Sequence, residues 1–140
     1  MAKQSPAGYS GTTLVKKLGL ADNAKALVRN EPKGYWDWIS PLPEGVSVKS
    51  RPSTGLNFVH LFVTKQSSYR KEVLAARKLI APDGMIWISW PKKSSGVPSD
   101  LDENVIRDFA LKNGLVDVKV CAVNEVWSGL KLVIPVKLRE

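Results

Sequence analysis

Two adjacent cations followed by small polar residues, Lys92-Lys93-Ser94-Ser95-Gly96, are the stretch of this chain best suited to chemistry. Lysine ammonium groups attract phosphate or carboxylate, and the amides of a Ser-Ser-Gly run can form an anion-holding concavity at small steric cost. Other reactive groups are thinly spread. His60 lies in the apolar run NFVHLFV with no cysteine or carboxylate at ligand spacing, so it reads as a hydrogen-bonded core histidine, not a base or metal ligand. Cys121 is the only cysteine, which excludes an internal disulfide and any multi-cysteine zinc or iron–sulfur centre; it reads as packing. Glu125, then Glu31 and Asp37, are the carboxylates best placed for acid–base work. No triad, acid pair or metal cluster assembles around them.

The elements that must position these residues are organised around Asn57 to Pro91. Phe58–Thr64 and Met85–Trp90 are β-branched and aromatic runs of the kind buried on both faces of a sheet. Between them Tyr69, Val73, Ala76 and Ile80 recur at helical spacing, with Lys71 and Lys78 on the other side. Pro82-Asp83-Gly84 predicts the turn that ends this helix. Strand, helix, strand implies a right-handed parallel crossover, and a parallel sheet needs helices on both faces.

Upstream, residues 1–11 read as a flexible lead-in to a single domain over 12–140, with Tyr9 as an anchor. Thr12 or Thr13 caps a short helix ending at Gly19. Ala24–Arg29 is the first strand, Asn30–Pro32 a turn, and a short helix follows with Trp36 and Ile39 on one side. Val46–Lys49 is a second short strand. Downstream, Ser99 or Asp100 predicts an N-cap, with Asp102 or Glu103 completing a capping box. That helix turns Val105, Ile106, Phe109 and Ala110 inward and stops at Gly114. Val116, Val118 and Val120 alternate with Asp117, Lys119 and Cys121 in a strand with unequal faces. A final strand carries Leu130, Leu132, Ile134, Val136 and Leu138, antiparallel because the connection from Asn124 to Gly129 fits only a hairpin. Pro135 disturbs it, since a paired position would lose a ladder bond.

Ligands of open parallel sheets bind outside the carboxyl ends of the strands. Those ends collect Lys33, Arg51, Lys65, Lys92, Lys93, Ser94, Ser95, Trp36, Trp38, Trp127 and Glu125, a basic and aromatic edge. Each has a bland explanation: Lys92-Lys93 as a solvated loop, Trp87 and Trp90 as strand packing, Trp127 as the hairpin's closure on the sheet. Trp36 and Trp38 flank Asp37 and cannot share a helix face, so one is core and the other partly exposed.

Composition bounds the partners. The 140 residues suit one core, and 21 basic against 13 acidic side chains leave a formal charge of +8. That balance favours an anionic small molecule or an acidic protein. Nucleic acid is possible but not favoured, because the basic residues are scattered without an arginine tract. No signal-peptide pattern and no apolar run of membrane length occur, which predicts a cytoplasmic protein with no membrane partner. Nothing specifies an oligomeric state.

The order of elements resembles the methyltransferase branch of the Rossmann-like folds: a three-layer α/β domain with a mostly parallel, six-stranded sheet closed by an antiparallel hairpin, here with a shortened first half. The stretches GYSGTTLVKKLGL and PKKSSGVPSDLDENVIRDFALKNGLVDVKVCAVNEVWSGLKLV resemble a family of small bacterial proteins known only as a domain of unknown function. That likeness carries over no catalytic residue. The broader one implies a Gly-rich turn after the first strand and an acidic residue ending the second, to hold the cofactor's ribose. This chain has Asn30-Glu31-Pro32-Lys33-Gly34 and Lys49-Ser50-Arg51 there, so no S-adenosylmethionine and no other cofactor is expected. The expected function is non-catalytic binding of an anionic ligand or partner at the carboxyl edge. An enzyme would need Glu125 or His60 in a ligand cavity, and a structural or protein-interaction domain an exposed apolar patch without a crevice.

Overall fold

The computed structural model describes residues 13–139; the lead-in over 1–11, Tyr9 and Thr12 lie outside the described residues. The elements run α1 (Leu14–Leu18), β1 (Lys25–Arg29), α2 (Tyr35–Trp38), β2 (Ser47–Lys49), β3 (Leu56–Phe62), α3 (Gln66–Leu79), β4 (Ile80–Pro91), α4 (Glu103–Lys112), β5 (Val116–Ala122) and β6 (Trp127–Val133). One sheet takes the order β2-β1-β3-β4-β6-β5. β1 pairs in parallel with β2 and β3, and β3 with β4, while β6 runs antiparallel between β4 and β5. The expected parallel set and reversed strand are therefore present.

Alternation along β3 divides the core. Val59, Leu61 and Val63 face Tyr69, Val73 and Ala76 of α3 and Ile106 and Ala110 of α4. Phe58 and Phe62 point the other way, toward Leu14, Val15 and Leu18 of α1 and toward Tyr35 and Ile39 around α2. Thr13 caps α1 by accepting from the Lys16 amide, and Gly19 ends it at φ 78°, a left-handed conformation that suits glycine. Trp87 is fully buried, and its Nε1–H donates to the Leu18 carbonyl at 2.7 Å, fastening α1 to the sheet.

Several sequence expectations need correction. The Pro82-Asp83-Gly84 turn does not precede the second strand: α3 stops at Leu79, β4 starts at Ile80, and the three residues bulge within it as pairing shifts from Leu56↔Ile80 to Phe58↔Met85. Gly84 is required there, because a Cβ would stand 2.6 Å from the Leu56 carbonyl oxygen. The α4 cap is Asp102, whose side chain accepts from the Val105 amide, and not Ser99 or Asp100. Tyr35, not Trp36, joins Ile39 on the buried side of α2; Trp36 is exposed. Val118 sits at a bulge of the edge strand β5, and both it and Val120 are about half exposed. β6 begins at Trp127 and ends at Val133, so Pro135 never enters the ladder. Val136 and Leu138, expected in that strand, belong to a short exposed 3-10 turn.

Candidate functional site at the carboxyl edge

Hydrogen bonds stitch the loops at the carboxyl ends of β3 and β4 and the β5–β6 turn into one edge. The Lys92 amide donates to the Val126 carbonyl at 2.7 Å, tying the loop after β4 to the hairpin. Within the hairpin, Asn124 Oδ1 accepts from the Val126 and Trp127 amides at 2.8 and 2.9 Å. The Asp100 amide and Ser99 hydroxyl both donate to the Thr64 carbonyl, at 3.2 and 2.8 Å. Asp100 Oδ1 then accepts from the Gln66 amide at 2.7 Å. The residue expected to cap α4 therefore caps α3, whose own N-cap, Lys65, makes no side-chain hydrogen bond.

Beneath these loops lies an aromatic floor. Trp127, half-buried, meets Phe62 edge-on with centroids 5.1 Å apart, and Phe62 meets Tyr35 at 5.3 Å. Trp36 is exposed and its indole donates to Glu31 Oε2 at 3.2 Å, while half-buried Trp38 packs on the inner cluster. One ring is thus outside and the other largely inside. Trp87 and Trp90 are buried strand residues.

The basic residues are unevenly placed. Lys65, Lys93 and Ser94 are exposed and Lys92 and Ser95 half-buried on loops of neighbouring strands. Lys33 is exposed ahead of α2. Arg51 follows β2, the outer strand, with β1 and β3 between it and β4; that is roughly 14 Å at the usual strand spacing. Arg51 is therefore not brought to the lysine pair. Glu125 is exposed at the hairpin turn. Among the described residues, none of these cations has an ion-pair partner; the ion pairs join Arg107 to Glu103 and Asp117.

The expected cradle of amides is altered. Lys93–Ser95 forms a 3-10 turn in which the Ser95 and Gly96 amides donate to the Lys92 and Lys93 carbonyls, and the Ser95 hydroxyl also bonds Lys92 O at 2.6 Å. Turn formation thus consumes two of the three donors that the Ser-Ser-Gly run offered. An anion here meets mainly lysine side chains.

One buried polar chain was not anticipated. The Tyr35 hydroxyl lies 2.8 Å from His60 Nδ1, and Ser89 Oγ lies 2.8 Å from His60 Nε2, with all three residues fully buried. The His60 ring also stacks on Phe62 at 4.3 Å. Burial lowers the His60 pKa to about 3 and drives the Tyr35 hydroxyl far above its usual range, Glu31 adding to the latter. His60 is thus the satisfied core histidine that the sequence suggested. Burial also raises the Cys121 thiol, against the nearby charges of Lys119 and Lys17. Among the described residues no group of acidic, histidine and cysteine side chains could hold a metal ion, and no helix is long and apolar enough to cross a membrane.

No family model and no curated protein matches the chain. Solved structures do. A SAM dependent methyltransferase from Aquifex aeolicus superposes with a TM-score of 0.61 at 12% identity, over 87% of this chain and 88% of that one. Aeropyrum pernix fibrillarin, in complex with S-adenosyl-L-methionine, gives 0.58 at 12% identity, over 86% and 73%. Magnesium protoporphyrin IX methyltransferase from Synechocystis, with bound SAM, gives 0.58 at 10%, over 87% and 74%. The chain has a methyltransferase-like Rossmann fold.

The residues at the corresponding strand ends do not suit that cofactor. Gly34 is the N-cap of α2, and a Cβ there would stand 3.1 Å from Trp38 Nε1, so an indole packs over the turn where backbone should approach a ligand. β2 ends at half-buried Lys49, followed by exposed Ser50 and Arg51, where a carboxylate would hold ribose hydroxyls.

Proposed function

We propose that this methyltransferase-like domain is a non-catalytic binder of an anionic ligand or acidic protein partner at the carboxyl edge of its sheet. The observation that carries the proposal is the set of lysines, Lys65, Lys92 and Lys93, on loops largely stitched together by hydrogen bonds and without ion-pair partners among the described residues, with Lys33 on the loop after the adjacent strand β1. Lysine side chains on an open edge, with most of the amide cradle closed on itself, suit an extended or multiply charged anion better than one enclosed phosphate. The sealed position of His60, one of the two groups an enzyme would have needed in a cavity, supports binding without catalysis. The same proposal places the chain in the cytoplasm and with the small bacterial proteins that its sequence resembles.

Calorimetric titration with inorganic tripolyphosphate tests it. Changing Lys92 and Lys93 together to Ala should weaken binding by about 1–3 kcal/mol, the scale of charge-assisted contacts. Lys16 and Lys17 are a poor control, because the Lys17 carbonyl accepts from Lys119 Nζ at 3.0 Å and more charges gather there. Lys78 and Lys112, exposed near the carboxyl ends of α3 and α4, are suitable. Equal losses in both pairs at matched salt would reduce the effect to general attraction and overturn the proposal. Saturation with one S-adenosylmethionine per chain would overturn it from the other side.

A further inference from the structure

A concavity opens farther along the same edge, at the carboxyl end of β1 on the α3 face of the sheet. Its volume is about 480 Å³ and its walls are Val28, Arg29, Asn30, Ser68, Lys71 and Glu72. The topology explains the opening. β2 and β3 flank β1, yet only Ser50 to Gly55 connect them, so a thin crossover stands where parallel strands usually receive a helix. Lys25 Nζ donates to the Thr54 carbonyl at 2.9 Å and holds that crossover down. α3 packs chiefly on β3 and β4 and α4 on β5, so the main helix packing leaves the end of β1 open, with one edge of α3 as its wall.

The chemistry of the walls is specific. Ser68, Lys71 and Glu72 fall at positions i, i+3 and i+4 of α3, on one stripe beside the buried Tyr69, Val73 and Ala76. Asn30, left-handed at φ 63°, directs its Nδ2 to the Phe62 carbonyl at 3.3 Å and to both Glu72 oxygens at 3.2 and 3.3 Å. Glu72 is therefore held by an amide and is not neutralised: among the described residues neither Arg29 nor Lys71 pairs with it or with any other carboxylate. The pocket so presents two exposed cations and a hydroxyl together with an anchored carboxylate that has lone pairs to offer.

We propose that this pocket binds a small phosphorylated polyol, a sugar phosphate or mononucleotide, with the phosphate on Arg29, Lys71 and Ser68 and adjacent hydroxyls donating to Glu72. An isolated phosphate uses only the cations; a carboxylate in the same pocket repels it unless hydroxyls come with it. The volume lies within the range of small-molecule sites. The site uses neither Lys92 nor Lys93, so it and the carboxyl-edge proposal can fail independently.

Ribose 5-phosphate, with inorganic phosphate and ribose as comparators, is the probe for calorimetry on the full chain. Saturable binding below 10 mM is expected, a ceiling appropriate to a shallow site. Arg29→Gln with Lys71→Gln should weaken it tenfold or more, while the Lys92→Ala, Lys93→Ala variant should retain it within twofold. Glu72→Gln should erase the preference for ribose 5-phosphate over inorganic phosphate, because the amide removes the repulsion and one acceptor. Circular dichroism confirms folding; Arg29 and Lys71 are exposed and Glu72 is half-buried. Absence of saturation, an unchanged affinity in the Arg29, Lys71 variant, or an equal loss in the Lys92, Lys93 variant would each overturn the proposal.

Discussion

Acidification from pH 7.5 to pH 5 is expected to cost this protein about 2 kcal/mol of folding stability through His60 alone. The chain has one histidine, so a single imidazole titrates in that window. Its folded pKa is lowered to about 3 by burial, against about 6.5 in the unfolded chain. Between those values the unfolded chain binds a proton that the folded one does not, so stability is full above pH 6.5 and falls as pH drops below it. With an unfolded pKa of about 6.5, the loss at pH 5 is about 1.4 kcal/mol times the decimal logarithm of ~33, or ~2 kcal/mol; at pH 7.5 it is below ~0.1 kcal/mol. The geometry explains why the folded state refuses the proton. A neutral imidazole offers one donor and one acceptor, and the Tyr35 and Ser89 hydroxyls, each at 2.8 Å, can match either arrangement. A charged ring would meet Phe58, Phe62 and Tyr35 around it. Urea unfolding of wild type and His60→Gln at pH 7.5, 6 and 5 provides the assay. The wild-type advantage should shrink by about 2 kcal/mol across the series. Ser89→Ala, which strands one ring nitrogen, should cost about 1–3 kcal/mol at pH 7.5 and serves if the Gln variant does not fold. A pH-independent difference between wild type and His60→Gln, or a neutral Ser89→Ala, would refute the reasoning.

Two further outcomes follow from the loops and bulges. Asp100→Ala should lower stability by about 1 kcal/mol, the usual cost of a lost cap, although Asp100 lies 34 residues from the α3 amide that it caps; urea unfolding reads this, and an unchanged midpoint would discount the stitch between the β3 and β4 ends. Gly84→Ala should cost at least about 1–3 kcal/mol, since its Cβ would stand 2.6 Å from backbone and not from a yielding side chain; thermal unfolding decides it, and a variant as stable as wild type would show that the bulge can move.

Local signals carried the fold where they were redundant. Phe58 to Phe62 could be read as a buried strand because both faces are apolar, and α3 because Tyr69, Val73 and Ala76 repeat at helical spacing. Signals failed where a competing partner lay far away in sequence. Asp100 looked like a cap for the helix that follows it, yet its carboxylate serves α3, while Asp102 caps α4. Pro82-Asp83-Gly84 has turn chemistry and does bend the chain, but β3 pairs on both sides of it and absorbs it as a bulge. The buried relay was illegible for the same reason: Ser89 reaches His60 only because Phe62 pairs with Ser89 and His60 with Trp87, a register that no local pattern specifies. The lysines of the carboxyl edge were readable as a position, since strand ends are visible in sequence. Their relation to Arg51 was not, because strand order places two strands between β2 and β4.

The division between core and edge bears on how a methyltransferase-like sheet can take up a different ligand chemistry. The residues that build the sheet point into two apolar clusters, to which the loops add apolar side chains such as Val63, Leu101 and Val123, while the lysines of the carboxyl edge take no part. The cations that these loops expose can therefore change with little effect on the core. The exception is α2, where Tyr35 reaches through the relay to His60 and Ser89 and so fastens the first turn of the carboxyl edge to β3 and β4. With that turn held by buried hydrogen bonds and covered by Trp38, a Gly-rich approach to a cofactor is replaced by packing. On the proposed function, the lysines outside it would meet an anion that needs no enclosed pocket. Tyr35→Phe is therefore expected to perturb the geometry of the edge more than Trp36→Ala, although of the two residues only Trp36 is exposed.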